Sequence, residues 1–414
     1  MGFKKFIAGL AMSASFFAAG AVNAADVEVT HWWTSGGEAA AVAEFAKAFD
    51  ATGNKWVDGA IAGSGDVARP IIISRILGGN PMGATQLNPG KDADDLVKAG
   101  LMLDLTELAK KEDWANILRP KSQLESCTVD GKVVCVPVNL HSAQWMWTNR
   151  KVYQDAGIEP PKNWNEMIAA APKLQEKGIL PLSLAEGWPV NLLVQNLQVA
   201  VGGVDNFVKV YKDRDLAIAG GPEMAKVFQA LDAARKLVDP KSVVPQWNEA
   251  VGLVISGKAG ANVMGDWAGG EFQVANMVAG KDYDCLPGLG LEPVLNTGGD
   301  VFYFPKNKDP EVEKAQLAMA SMMVTKEVQV AFNLKKGSLP MRPDVDLSAA
   351  NDCMKKGLEI LDQSTKVFPN DVQMIDRDSL NQIRDVMTEF FANKEITPEA
   401  AQAQFVEIIK NAPK

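Results

Sequence analysis

Apolar and polar positions change rhythm repeatedly along the 414 residues. The first stretch, Met1–Ala24, carries Lys4 and Lys5, runs apolar from Phe6 to Val22 and ends in the small residues of Val22-Asn23-Ala24. That is the layout of a secretory signal peptide cleaved near Ala24. Beyond it, Val27–His31 alternates with period two and predicts a strand. Glu38–Asp50, with Ala43, Ala46 and Ala48 interleaved with Phe45 and Phe49, predicts a helix. Further strands are expected over Pro81–Leu87, Val133–Val138, Ala143–Trp147, Ala261–Met264 and Val301–Phe304. Helices are expected over Pro70–Leu77, Lys91–Gly100, Asn163–Lys177, Val190–Val201, Glu223–Leu237, Asn248–Ser256, Glu311–Val324 and Lys326–Leu334. Such alternation indicates α/β domains with helices on both faces of a sheet. The roughly 390 residues left after cleavage are too many for one core, so two domains are expected. No low-complexity linker separates them, so the chain itself must cross between them.

The formal charge is −9, and loss of Lys4 and Lys5 takes it to −11. This argues against nucleic acid or anionic lipid as a partner. The four cysteines, Cys127, Cys135, Cys285 and Cys353, all follow the signal segment. An even count in an oxidising compartment points to two disulfides, with three possible pairings. Cys127 and Cys135 flank a hairpin turning at Asp130-Gly131, and a three-residue loop is expected there so that the cysteines face each other. Cys127–Cys135 with Cys285–Cys353 is the favoured pairing. There is no CxxC, and only His31 and His141 could complete a zinc site, so no metal is expected. Asp92, Asp94 and Asp95 form a small acidic cluster that leaves calcium binding open, though acidic bias at a helix start explains it better.

Trp32 and Trp33 follow the first strand, and Thr34-Ser35-Gly36-Gly37-Glu38 comes directly after them. An indole covers the C–H face of a pyranose, and a carboxylate accepts from its hydroxyls. A strand ending in indoles, a glycine turn and a carboxylate is therefore suited to holding a sugar. Adjacent strand residues point to opposite faces, so at least one indole should look away from the core.

The most specific pattern runs from Asp130-Gly131-Lys132 through Val136-Pro137 and Trp147-Thr148-Asn149-Arg150-Lys151-Val152-Tyr153. It continues in Ala156-Gly157-Ile158-Glu159-Pro160-Pro161-Lys162-Asn163-Trp164-Asn165-Glu166. There Pro160-Pro161 fixes the approach, Asn163 can cap a helix and Trp164 packs under it. Gly257-Lys258-Ala259-Gly260, Met264-Gly265-Asp266-Trp267, Asp300-Val301-Phe302-Tyr303-Phe304-Pro305 and Lys335-Lys336-Gly337-Ser338-Leu339-Pro340-Met341-Arg342 follow in order. With these segments the chain resembles the family 1 extracellular solute-binding proteins, the sugar receptors of ABC importers, over essentially all of its mature length. Within that family it is most similar to the Gram-negative glucose/mannose-binding proteins, through Trp32-Trp33 and Gly36-Gly37-Glu38.

The resemblance implies an α/β, two-lobed clamshell with sheets flanked by helices. Crossings are expected near Asn139–Ala143, Lys281–Cys285 and Thr325. Lobe one would hold 25–142 and 283–325, and lobe two 143–282 and 326–414. Carried over residue by residue, the family's pocket makes Glu38 and Asp300 hydroxyl acceptors, Lys91 and Lys336 donors, and Trp267 the stacking ring of lobe two. Trp188 and His141 would line the lobe-two wall and the crossing. The glucose receptors place a histidine in the cleft from their C-terminal segment. Val367–Met374 has none, and Gln373 is the best positional match, a side chain that donates and accepts but does not titrate.

The expected function is periplasmic capture of a neutral sugar, an aldose monosaccharide such as glucose or a relative. A monomer would close on it and dock on a permease driven by a cytoplasmic ATPase. A receptor for a polyol, amino sugar or small oligosaccharide is the alternative. A secreted glycosidase using Glu38 and Asp300 is the remoter one, and it needs two carboxylates at a fixed separation flanking a bond. Arg69, Arg75, Arg342 and Arg377 are scattered along the chain, so no arginine cluster for a uronate or phosphate is expected. No cofactor is expected, and the chain has no GxxxxGK[ST] phosphate loop.

Overall fold

The computed structural model describes residues 24–88, 93–296 and 298–413. The expected signal peptide up to Asn23, and Lys91 with Asp92, lie outside the described residues.

Two sheets carry the fold, built from β1 (Asp26–His31), β2 (Lys55–Ala60), β3 (Ala84–Leu87), β4 (Cys135–Pro137), β5 (Trp145–Asn149), β6 (Leu180–Ser183), β7 (Ala259–Val263), β8 (Tyr283–Pro287) and β9 (Val301–Tyr303). The first has the order β2-β1-β3-β9-β4. Its β1 is parallel to both neighbours, with Val27 opposite Trp56 and Val29 opposite Ala84, while β9 runs antiparallel to β3 and β4. The second has the order β8-β5-β7-β6, with only β6 and β7 parallel. Every residue of β3, β5 and β7 is buried, as expected of strands covered on both faces. The molecule is thus an α/β clamshell of two lobes.

Helices near the cleft include α1 (Gly36–Asp50), α2 (Ser64–Leu77), α3 (Trp188–Gly202), α4 (Ala268–Val274), α5 (Lys326–Lys336) and α6 (Arg377–Ala392). The pattern placed the start of α2 at Pro70, but the helix begins at Ser64 and runs through the proline. Its buried row of Ala68, Ile72 and Ile76, spaced by four, continues across Pro70 and outweighs one missing backbone donor. This extension brings Ser64, Gly65, Asp66 and Arg69 to the cleft.

Lobe boundaries also differ from expectation. Tyr283–Pro287 pairs with β5 in the second sheet, so the chain crosses after it and not at Lys281–Cys285. Likewise α5 belongs with lobe one, because Phe332 stacks on Phe45 of α1 at 4.1 Å, which moves the third crossing past Thr325. The three crossings lie side by side: Leu140 bridges to Leu339, and His141 bridges to Gly298.

Val129 pairs with Lys132, so the hairpin has a two-residue loop, not three. Asp130 and Gly131 both take positive φ, 50° and 76°, as the tightest hairpin turn requires. The cysteines are nevertheless joined, with Cα atoms 5.0 Å apart. The chain leaves the hairpin at Val134 to enter β4, which returns Cys135 to Cys127. Cys285–Cys353, 5.8 Å between Cα atoms, ties β8 to the Asp352–Leu361 helix.

Candidate functional site

A cavity of about 250 Å³ opens between the lobes, beyond the C-terminal end of β1. Trp32 and Trp33 leave that strand in opposite senses. Trp33 is only 1 % exposed and packs against Phe45, Phe302 and Phe332, so it is a core residue that underlies the cavity. Trp32 is half-buried, borders the cavity and carries the Arg69 guanidinium 5.8 Å from its ring centre.

The floor comes from helix ends. Ser35 caps α1 by accepting from the Glu38 amide, and its hydroxyl donates to the Glu38 carboxylate at 3.2 Å. Lys336 is the last residue of α5, and Gly337 ends the helix in the left-handed region (φ 87°). Lys336 Nζ lies 2.7 Å from Glu38 Oε1 and 5.4 Å from the Trp33 ring, with both charged side chains under 10 % exposed. Burial raises the Glu38 carboxyl against the pull of Lys336. For Lys336, burial works downward, but Glu38, Asp300 and Asp266 hold the ammonium above its ordinary range. Asp300, just before β9, accepts from Gln86 Nε2 and Asn139 Nδ2, each at 2.9 Å. His141 Nε2 stands 3.9 Å from Asp300, and burial lowers the imidazole despite that carboxylate, which favours the neutral ring.

Lobe two supplies rings. Trp267 lies edge-to-face with His141 at 5.1 Å and tilted toward Trp188 at 6.0 Å. Gly265 is what permits this pose, since a Cβ there would fall on the Trp267 ring. A second close approach joins the lobes, where a Cβ on Gly37 of α1 would lie 2.5 Å from the Gly270 carbonyl carbon of α4. Trp32, Trp33, Glu38, His141, Trp188, Trp267, Asp300 and Lys336 therefore border one cavity. Lys91 lies outside the described residues.

Gln373 does not border the cavity. It sits in a helical turn capped by Asn370, and its amide oxygen accepts from the Asn370 N–H at 3.1 Å. The same segment instead presents Asn370 and Asp371. Asp371 accepts from Gln195 Nε2 and the Val372 N–H, and burial pushes its carboxyl up to about 6.

The arginines are less scattered than their sequence positions indicate. Arg69, Arg377 and Arg384 all border the cavity, because α2 and α6 face each other across the cleft. Arg75 and Arg342 do not; they pair with Glu28 and Asp344. Sequence reasoning also missed Trp247, Asn191 and Gln195. For the last two a signal existed: Trp188, Asn191 and Gln195 are spaced by three and four, one face of a helix. Among the described residues no group of three His, Cys, Asp or Glu side chains is placed to hold a metal ion.

Residues 33–330 match the profile of the bacterial extracellular solute-binding proteins. The chain belongs to that family. A probable sugar-binding periplasmic protein of Rhizobium meliloti is 36 % identical over 361 residues, 86 % of either chain. Another of that description, from Mesorhizobium japonicum, is 33 % identical over 99 % of both chains. Among solved structures, the solute receptor AcbH, with an exclusive preference for β-D-galactopyranose, shares the fold at a TM-score of 0.76 and 19 % identity, covering 93 % of this chain and 98 % of its own. A solute-binding protein of Thermotoga lettingae bound to α-D-tagatose does so at 0.73 and 18 %, covering 94 % and 99 %. This solute-binding protein is not an enzyme.

Proposed function

We propose that this chain is the periplasmic substrate-binding component of an ABC importer. It captures a neutral sugar between its lobes, an aldose monosaccharide such as glucose or a relative, and delivers it to a membrane permease driven by a cytoplasmic ATPase. The observation that carries this reading is charge balance in an aromatic cavity. Among the described residues, four carboxylates (Glu38, Asp66, Asp300, Asp371) meet four cations (Arg69, Lys336, Arg377, Arg384), with Trp32, Trp188 and Trp267 around them. Among the described residues a charged ligand finds no excess of opposite charge, while ring C–H faces find indoles and hydroxyls find fixed acceptors and donors. A cavity of about 250 Å³ falls below the roughly 300–1,000 Å³ of pockets for drug-sized ligands and suits a single ring. The descriptions of the relatives support the sugar class, and the two disulfides support an oxidising compartment. In this reading Glu38, Asp300 and His141 accept, Lys336 and Lys91 donate, and Trp267 stacks with Trp32 and Trp188 at its sides.

A thermal-shift screen of the mature protein tests it, with neutral mono- and disaccharides, amino sugars, polyols and uronates as probes. A raised melting temperature with one or two neutral hexoses or pentoses is expected. Shifts confined to disaccharides, or to uronates, overturn the single-ring or the neutral assignment. No shift with any probe overturns the carbohydrate reading.

A further inference from the structure

At the mouth of the cavity α2 of lobe one faces α6 of lobe two, and three charges meet. Asp66 accepts from Arg69 of its own helix at 2.5 Å through Oδ1 and from Arg384 of the opposite lobe at 3.0 Å through Oδ2. Arg69 is held in turn over the Trp32 indole, and Arg384 also donates to Asn381 Oδ1 at 3.2 Å. Asp66 and Arg384 are 318 residues apart, so nothing local brings them together. Opening about the crossings at Leu140, Gly298 and Leu339 parts Asp66 from Arg384 but leaves Asp66 with Arg69.

We propose that Asp66 is a latch across the cleft mouth, oriented by Arg69, which grips Arg384 and biases the lobes toward closure before any ligand enters. Side-chain exposures of 41 % for Asp66 and 29 % for Arg384 leave the pair partly in water. Such pairs contribute modestly and are weakened by salt. A modest contribution is what a receptor can use: it shifts an open–closed population severalfold without trapping the cargo. The latch slows capture as well as release, because the pair must break both to admit a ligand and to let it leave. It rests on the two-lobed fold, whatever the ligand.

Small-angle scattering on unliganded wild type, Asp66→Asn, Arg384→Met and the double variant tests the latch without a sugar. Both single variants are expected to expand to the same radius of gyration, with no further expansion in the double. Wild type should approach that radius at 0.5 M NaCl, and the variants should not respond. With the sugar found in the screen, stopped-flow release should quicken about three- to tenfold in each single variant and no more in the double, and association should quicken alongside it. Equal radii in all four proteins overturn the proposal. So does faster release without expansion, which makes Asp66 a direct ligand contact, and so do additive effects, which make the two residues independent.

Discussion

The two walls of the cavity are built differently. On the lobe-one side every charge shown is anchored: Glu38 on Lys336 and Ser35, Asp300 on Gln86 and Asn139. On the lobe-two side rings dominate, and the Asn191 Oδ1 atom is buried with no hydrogen-bond partner. One wall is a polar cradle set before the ligand arrives; the other is an aromatic cover whose polar groups are incompletely paired. Preorganised polar groups give direction at little cost on binding, while a large ring contributes contact area only once the lobes have closed on something. Orientation should therefore come from lobe one and most of the affinity from lobe two.

The largest test of that contrast is Lys336→Met. It strands Glu38 as a buried carboxylate beside Asp300, and should destabilise folding by about 3–5 kcal/mol in a guanidinium titration. A loss below about 1 kcal/mol would mean that the cradle is not a coupled unit. Trp267→Ala should leave the fold intact and weaken sugar binding by about 2–4 kcal/mol in calorimetry. Unchanged affinity would move the cover elsewhere.

Asp371 is a lobe-two carboxylate that borders the cavity, and burial sets the direction of its pH dependence. Burial raises its carboxyl from the ordinary 3.8 to about 6, so between these values the folded chain holds a proton that the unfolded chain has lost. Its contribution to stability is full below about pH 4, falls as pH rises to about 6, and is constant above that. Asp371→Asn never ionises, so it should gain up to about 3 kcal/mol over wild type at pH 8, relative to the same comparison at pH 4, in melts at both values. Equal differences at the two pH values would refute the assignment. The smallest effect is expected of Glu38→Gln. Lys336 keeps Asp300 and Asp266 as counter-charges, and an amide oxygen still accepts, so binding should weaken by about 1 kcal/mol with melting little changed. A loss as large as that of Trp267→Ala would reverse the division of labour.

Particular residues show what was legible. Val27–His31 alternated and became β1, and Asn163 read as a helix cap and accepts from the Glu166 N–H. Trp267 beside its glycines read as a cleft ring, and it borders the cavity. Trp32 and Trp33 were indistinguishable in sequence; only the pairing of β1 with β2 and β3 decided which ring met Phe45 and Phe332. Gln373, expected at the cleft, does not border the cavity, and its amide oxygen accepts from the Asn370 N–H beside its own helical turn.

By itself the sequence determined the α/β class, the two-lobed architecture, the hairpin around Asp130-Gly131 and several of the residues that border the cavity, since periodicity, turn chemistry and motifs are properties of neighbours in the chain. Tertiary structure alone decided the crossings at Gly298 and Leu339, the convergence of Arg69, Arg377 and Arg384, and the pairings of Lys336 with Glu38 and Arg384 with Asp66. Those contacts span 298 and 318 residues. No local pattern encodes them, because they exist only once two sheets and their helices have packed.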